Sequence, residues 1–355
     1  MPETSVPFRA GDDGYASYRI PAVVATASGT LLALCEGRVD SAHDYGHIDL
    51  VLKRSTDGGR TWGALQVVGR NGSDLAGNPA PVVLDTGRVL LVQCRSAADA
   101  AESAILRGEV KDEDGRRVWV QHSDDEGETW SAPREITHQV KEPGWRWYAT
   151  GPGHALQLST GRVVVPANHT VPPTGSDAGD EARYNGGHCL LSDDRGETWY
   201  LGYVDDSPTD YLNANETTAA ELPDGRVYFN TRTDSRSPGN RADAHSEDGG
   251  RTLAKPFRPQ AGLTAPVCQA SVLQLRDPDL LLYSGPAHGR ALMTLRTSTD
   301  GGTTWRPAYT VDGLPAGYSD LVRVDTSTVG LLYETGDFGP YETISFRRVP
   351  VTRLT

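Results

Sequence analysis

A small set of arginines, acidic residues and one tyrosine carries most of the chemistry this chain of 355 residues offers. Arg19 stands in YRIP, Arg232 in NTRTD and Arg290 in HGRALMTLR, each at the end of a stretch that reads as a strand. One such guanidinium is ordinarily a surface ion-pair partner. Three brought to one place would hold a carboxylate through planar, paired hydrogen bonds that lysine does not match. Glu216 precedes Arg232 by sixteen residues, and Tyr318 precedes Glu334 by the same sixteen. The repeated offset sets each pair at matching ends of a hairpin, facing one opening.

The elements that must position these residues announce themselves by repetition. STDGGRTW at Ser55–Trp62 returns as SDDEGETW, SDDRGETW, SEDGGRTL and STDGGTTW, beginning at Ser123, Ser192, Ser246 and Ser298. Asp followed by Gly makes a tight turn in which the Ser and Asp side chains bond local backbone N–H groups. The Trp then packs its large apolar face beneath the next strand; the fourth copy has Leu253 instead. Between the boxes runs a second unit, strand–turn–strand, as in VVLDTGRVLLVQCR, ALQLSTGRVVVPA, AAELPDGRVYFNTR and LVRVDTSTVGLLYE. Box starts lie 52 to 69 residues apart, about one four-stranded blade each. The expected fold is therefore all-β, a six-bladed β-propeller formed by residues 1–355 as a single catalytic domain, one blade lacking a readable box. Two stretches depart from this rhythm, the charged 97–117, which reads as a long loop or a short helix, and the polar, Gly-rich 168–187, and loops of that length in a compact domain are usually functional or mobile.

The boxes resemble the Asp-box (BNR) repeat of sialidases and several other β-propellers, and by themselves are scaffold. YRIP followed by such boxes is similar to the sialidase (neuraminidase) family of exo-glycoside hydrolases, a likeness that covers essentially the whole chain. The resemblance implies that Arg19, Arg232 and Arg290 hold the carboxylate of a sialic acid and that Glu334 braces Arg19. It implies Asp44, in RVDSAHDYGHID, as acid and base, with Asp40 and Asp49 as rivals; Asp49 alternates within the strand IDLVLKR. Tyr318 is implied as nucleophile and Glu216 as its base. A tyrosine suits that task, because a neutral phenol approaches a carbon bearing a carboxylate without like-charge repulsion. Arg38 matches an arginine reaching the far side of the ring, an ion pair with Glu36 or Asp40 being the alternative. Asn78 matches the position where the resemblance implies an Asp or Asn beside the sugar's C4 and C5 groups, Trp147 and Tyr148 are candidate pocket walls, and His154 and His169 are read as hydrogen-bonded structure.

The implied reaction releases terminal α-linked sialic acid with retention and needs no cofactor and no metal. Other readings are the same mechanism on Kdn or another 2-keto-3-deoxy sugar acid, a trans-sialidase, a non-catalytic Asp-box propeller used for binding, and an Asp-box endo-glucanase. The last would need a facing pair of carboxylates and no arginine triad. A net charge of −13 argues against nucleic acid or an anionic membrane as partner and leaves a sugar-acid glycoside, taken up by a monomer, as the expected one. Cys35, Cys94, Cys189 and Cys268 show no metal-ligand spacing and read as scattered buried thiols. No apolar run is long enough to span a membrane, and Met1–Ala10 lacks the pattern of a secretory signal, so the protein is expected in the cytoplasm if complete and outside the cell if a signal was removed.

Overall fold

In the computed structural model, which describes residues 3–173, 184–205, 212–233 and 240–355, the chain is almost entirely antiparallel β. Each repeat folds as the sequence pattern requires: apolar alternation makes the strands, and Asp-Gly or Thr-Gly turns reverse them. Four sheets have the size of one blade. They hold Tyr148–Thr150 with Leu156–Gln157 and the three strands to Asp205, the four strands from Ala214 to Thr264, the four from Ser271 to Thr310, and the last four. In the last sheet Ala316–Asp325, Thr328–Thr335 and Thr343–Pro350 are completed by Thr4–Arg9, so residues from the two ends of the sequence share one ladder.

The remaining eight strands, from Ser17–Ala25 to Arg134–Glu135, form one continuous sheet. This corrects the expectation of a six-bladed propeller: the arrangement is an all-β propeller with four blade-sized sheets and one of eight strands. The physical reason is a single parallel pairing, Ile48 with Leu75, which joins neighbouring strands edge to edge. Repeat spacing sets strand number per unit but carries no information about such a bridge. Of the two irregular stretches, the first keeps to expectation and the second does not. Residues 97–117 hold the short helix Glu102–Arg107, whereas both ends of 168–187 lie in the strands Val163–Thr170 and Asn185–Ser192. Residues 174–183 of that stretch lie outside the described residues.

Apolar side chains fill the space between adjacent sheets rather than one central core. Val23, Leu31, Ala33 and Val51, for example, meet Leu332, Ile344 and Phe346 of the last sheet. The boxes clip outer hairpins, two in the eight-stranded sheet, one in each of the three sheets that follow and none in the last. In the first, the Ser55 hydroxyl donates to Asp57 (2.8 Å) and accepts Gly59 N–H (2.8 Å), while Thr61 donates its hydroxyl (2.6 Å) and N–H (3.0 Å) to Asp57. The same bonds recur at Asp125, Asp194, Asp248 and Asp300. The hydroxyl and N–H of the Thr together hold each carboxylate low, that of Asp125 at about 2. Gly59 has φ +85° and its Cα lies against the Phe346 ring, so a Cβ there would collide with the core. Strands alternate in direction, which puts the boxes on one face and the functional residues on the other.

Candidate active site

The innermost strands do not run straight to the functional face. Ladder register slips between Arg19 and Ala22, between Gly77 and Ala80, between Ala214 and Thr217, and between Ala316 and Ser319. A β-bulge re-aims a side chain and frees backbone groups from the ladder. Each of these four bulges delivers a site residue: Arg19, Asn78, Glu216 and Tyr318. Ile20 and Asn78 take φ of +64° and +53°, conformations that a β-branched residue in particular avoids.

Freed N–H groups inside a protein need new acceptors, and buried carboxylates supply them. Glu334, fully buried, accepts the Arg19 Nε–H (2.7 Å) and the Ile20 N–H (2.9 Å) on one oxygen and the Tyr318 N–H (2.9 Å) on the other. Glu36 repeats the device one sheet over, accepting the Asn78 N–H (2.9 Å) and two bonds from Arg38 (2.7 and 3.1 Å). Burial alone would lower the pKa of Arg19, but Glu334 more than reverses that and keeps the guanidinium charged.

Around these anchors lies a cavity of about 290 Å³, lined by five arginines (19, 38, 116, 232, 290), by Glu36, Asp44, Glu102 and Glu216, and by Tyr318, Tyr341, Trp147 and three asparagines, 78, 168 and 215. Tyr318 sits among the arginines. Its hydroxyl donates to Glu216 (2.6 Å) and accepts from Arg232 (3.0 Å), which also donates to the other Glu216 oxygen (2.8 Å). Arg19 and Arg290 lie 5.2 and 5.5 Å from the Tyr318 ring centre. Burial, and then the Glu216 charge, push the phenol well above its ordinary pKa, so it is neutral at rest. Behind it, Asp320 accepts from His154 Nδ1 and Ser271 (both 2.7 Å) and from the N–H groups of His154 (3.0 Å) and Val23 (2.8 Å), pinning the strand from several directions.

Asp44 stands at the mouth with its side chain 63% exposed, 2.6 Å from Arg38 and 3.9 Å from Arg19. Enclosure raises a carboxyl's pKa, but Arg38 and then Arg19 outweigh it, so Asp44 lies below the usual carboxylate range. The raised value required of a general acid is thus not what Arg38 and Arg19 give Asp44 at these distances. Of the rivals, Asp49 is buried away from the cavity, accepting from Tyr15 (2.8 Å) and Arg70 (2.9 Å), and Asp40 does not line it. Arg38 bonds Glu36, and Asp44 rather than Asp40 is its further partner. Trp147 forms a wall, whereas Tyr148 is buried with its hydroxyl on Val140 O (3.2 Å). His154 pairs with Asp320, and His169 with His188 (3.0 Å). Among the described residues no group of three His, Cys, Asp or Glu is placed to hold a metal ion. All four cysteines are free and buried.

Sequence reasoning missed Arg116, Glu102 and Tyr341. Arg116 is buried, lies 4.2 Å from the Trp147 ring centre, donates to Asn78 Oδ1 (3.2 Å) and leaves its Nε without a partner. Glu102, in the first turn of the short helix, has its pKa raised by the protein around it. Tyr341 lies with its ring centre 4.0 Å from the Arg19 guanidinium and accepts from Arg290 (2.5 Å). All three sit on connections with no repeat signature, so no spacing marks them.

Residues 29–331 match the BNR repeat-like domain family. A sialidase from Bacteroides fragilis is 33% identical over 92% of this chain and 61% of its own length. The solved Hadza microbial sialidase Hz136 is 30% identical, with a TM-score of 0.83 over 98% of this chain and 68% of that one. The chain belongs to the sialidase family. A Micromonospora viridifaciens sialidase is 32% identical over 92% of this chain, which spans 51% of it. The chain thus spans about three fifths and one half of these two relatives. At 20% identity, the intramolecular trans-sialidase of Ruminococcus gnavus shares the fold, with a TM-score of 0.77 over 98% of this sialidase-family chain and 97% of its own.

Proposed function

We propose that residues 1–355 act as one catalytic unit, a retaining exo-sialidase that releases terminal α-linked sialic acid from glycoconjugates. The observation that carries this reading is the Tyr318 phenol, hydrogen-bonded to Glu216 and ringed by Arg232, Arg19 and Arg290. A cavity of about 290 Å³ is at the small end of ligand pockets and suits one terminal sugar rather than the interior of a chain.

In the proposed cycle the three arginines hold the substrate carboxylate, as planar donors that need no rearrangement during the reaction. Its negative charge offsets Arg19, relaxing the pull that keeps Asp44 ionised. Asp44 then gains the proton that it passes to the leaving oxygen. Tyr318 Oη attacks the anomeric carbon as its proton moves to Glu216, and Arg232 stabilises the oxygen as charge shifts. In the second half Asp44 takes a proton from water, which displaces the tyrosine, and Glu216 returns the first proton to the phenol. Two displacements restore the original configuration.

The test is release of 4-methylumbelliferone from its α-glycosides of N-acetylneuraminic acid and Kdn, with Tyr318→Phe as control. Faster release from the N-acetylneuraminic substrate, abolished in the variant, is the expected result. Preference for Kdn would retain every role and change the group carried at C5. Near-normal turnover by Tyr318→Phe would remove Tyr318 from the nucleophile's role, and no release from either glycoside would favour a binding module.

A further inference from the structure

We propose a second ligand site, separate from the central cavity, in which Arg95 binds the acid group of a monoanionic sugar. A cavity of about 370 Å³ opens where the edge strand Gln66–Gly69 meets Val89–Ser96 and Arg117–Ser123, and it shares no lining residue with the central one. Arg95, Arg70, Gln66, Gln121, Glu128 and Trp130 are among the residues that line it.

Arg95 is only 9% exposed, and an arginine is almost never buried to that degree unless it is paired. Here every partner is neutral. Arg95 Nε donates to Gln93 Oε1 (3.4 Å), Gln93 Nε2 to Gln121 Oε1 (2.9 Å), and Gln121 Nε2 to Val68 O (2.5 Å). The guanidinium also lies 4.8 Å from the Trp119 ring centre. Among the described residues no carboxylate pairs with Arg95, and its Nη1 and Nη2 make no hydrogen bond. Burial, with no neighbouring charge to oppose it, pulls the pKa of Arg95 down. The other charged groups of the lining are already matched, Arg70 by Asp49 (2.9 Å) and Glu128 by Arg54 (3.0 Å). The lining therefore carries one uncompensated positive charge, which a monoanion completes and a dianion would exceed.

The unpaired polar groups say what the anion is attached to. The planar end of a guanidinium matches a carboxylate or a sulfate ester. Two further lining residues hold buried polar atoms without partners: the Trp130 indole N–H, a donor, and the Gln66 amide oxygen, an acceptor. Such groups are nearly always satisfied in folded proteins. A bare anion brings no donor for Gln66, whereas a sugar hydroxyl both donates and accepts. Ligand pockets usually measure roughly 300–1,000 Å³, so this cavity suits one sugar ring rather than an ion. The ligand is therefore a sugar that carries one negative charge, as a carboxylate or as a sulfate ester.

The experiment is titration calorimetry of the full chain with methyl β-D-glucuronoside, N-acetylglucosamine 6-sulfate, the neutral methyl β-D-glucoside and sodium sulfate. At least one anionic sugar should bind, the tighter one naming the acid group, and the neutral sugar and bare sulfate should bind about tenfold more weakly or not at all. Arg95→Gln should weaken the anionic sugar by about tenfold or more, as expected for losing a charge-assisted pair. Arg95→Lys keeps the charge without the planar fork and should fall between. Neither variant should lower the urea midpoint or the release of 4-methylumbelliferone, since Arg95 has no counter-ion to lose and does not line the central cavity. Undiminished binding to Arg95→Gln would overturn the site, and binding lost instead in Arg290→Ala would move the sugar to the central cavity. Equal affinity for sulfate and the anionic sugars would reduce the site to an adventitious ion only. No binding of any probe to wild type would overturn it outright.

Discussion

Replacing Glu334 by Gln tests the idea that one buried carboxylate assembles the site. The side chain keeps its shape but loses its charge and one acceptor. Its amide oxygen can still serve Arg19 and Ile20, which leaves the amide N–H₂ facing the Tyr318 N–H, donor against donor. An unsatisfied buried N–H costs about 1–3 kcal/mol. Breaking a buried ion pair by removing one partner costs about 3–5 kcal/mol. The two share an atom group and do not add, so a loss of at least about 3 kcal/mol is expected, against a typical total of roughly 5–15. Catalysis should suffer as well, since Arg19 and Tyr318 lose a common reference point and a shift of about 1 Å is worth around a hundredfold in rate. The assays are a urea titration and kcat/KM on the fluorogenic sialoside. A variant with wild-type kcat/KM and an unmoved midpoint would refute the argument. A lower midpoint with intact kcat/KM would confine Glu334 to a structural role.

Three further outcomes are expected. Arg290→Ala should reduce kcat/KM by about 10- to 150-fold, the worth of about 1.5–3 kcal/mol of charge-assisted bonding, and an unchanged value would place carboxylate binding elsewhere. Arg38→Gln removes the charge that does most to hold Asp44 low, so the pKa of Asp44 should rise. The limb of the pH–kcat/KM profile on which activity falls with rising pH should then move to higher pH; a stationary limb would mean that it belongs to another group. His188 is buried beside His169, and burial first, then that neighbour, holds its pKa well below normal. The unfolded chain takes up this proton near pH 6.5 while the folded one resists it. Stability is therefore full above about 6.5 and falls below it by up to about 1.4 kcal/mol per pH unit. Urea midpoints at pH 7 and 5 should differ less in His188→Gln than in wild type, and an identical difference would exclude His188 as the source.

What could be read in advance followed from where regularity ends. The offset of sixteen that links Glu216 to Arg232 and Tyr318 to Glu334 is legible because both pairs occupy facing strands of one hairpin, and both prove to be in direct contact. Arg116 lies in the irregular stretch 97–117, whose length marks it as functional without singling out a residue, and Tyr341 lies on an aperiodic connection; in both, only the folded chain decides what a side chain meets. The low pKa of Asp44 was equally hidden, for it depends on Arg38 and Arg19 arriving from two other segments. The number of sheets was misjudged for a related reason: one parallel bridge between Ile48 and Leu75 changes the count without leaving a trace in the repeats.

The sharing of one sheet between Thr4–Arg9 and Thr343–Pro350 has a consequence for how the protein is made. Thr4 leaves the ribosome long before its partner Arg347. At roughly 5–20 residues per second, it waits on the order of 20 to 70 seconds with its ladder edge open. Over that interval Arg19 also lacks Glu334, its counter-ion. Earlier sheets are complete within their own stretches of sequence, so they are free to form as they emerge. The cavity, by contrast, is completed only late, when the last strands deliver Tyr318, Glu334 and Tyr341. A nascent chain stalled before Thr343 would be a largely built scaffold with an exposed strand and no working site, the state most exposed to mispairing with a neighbour.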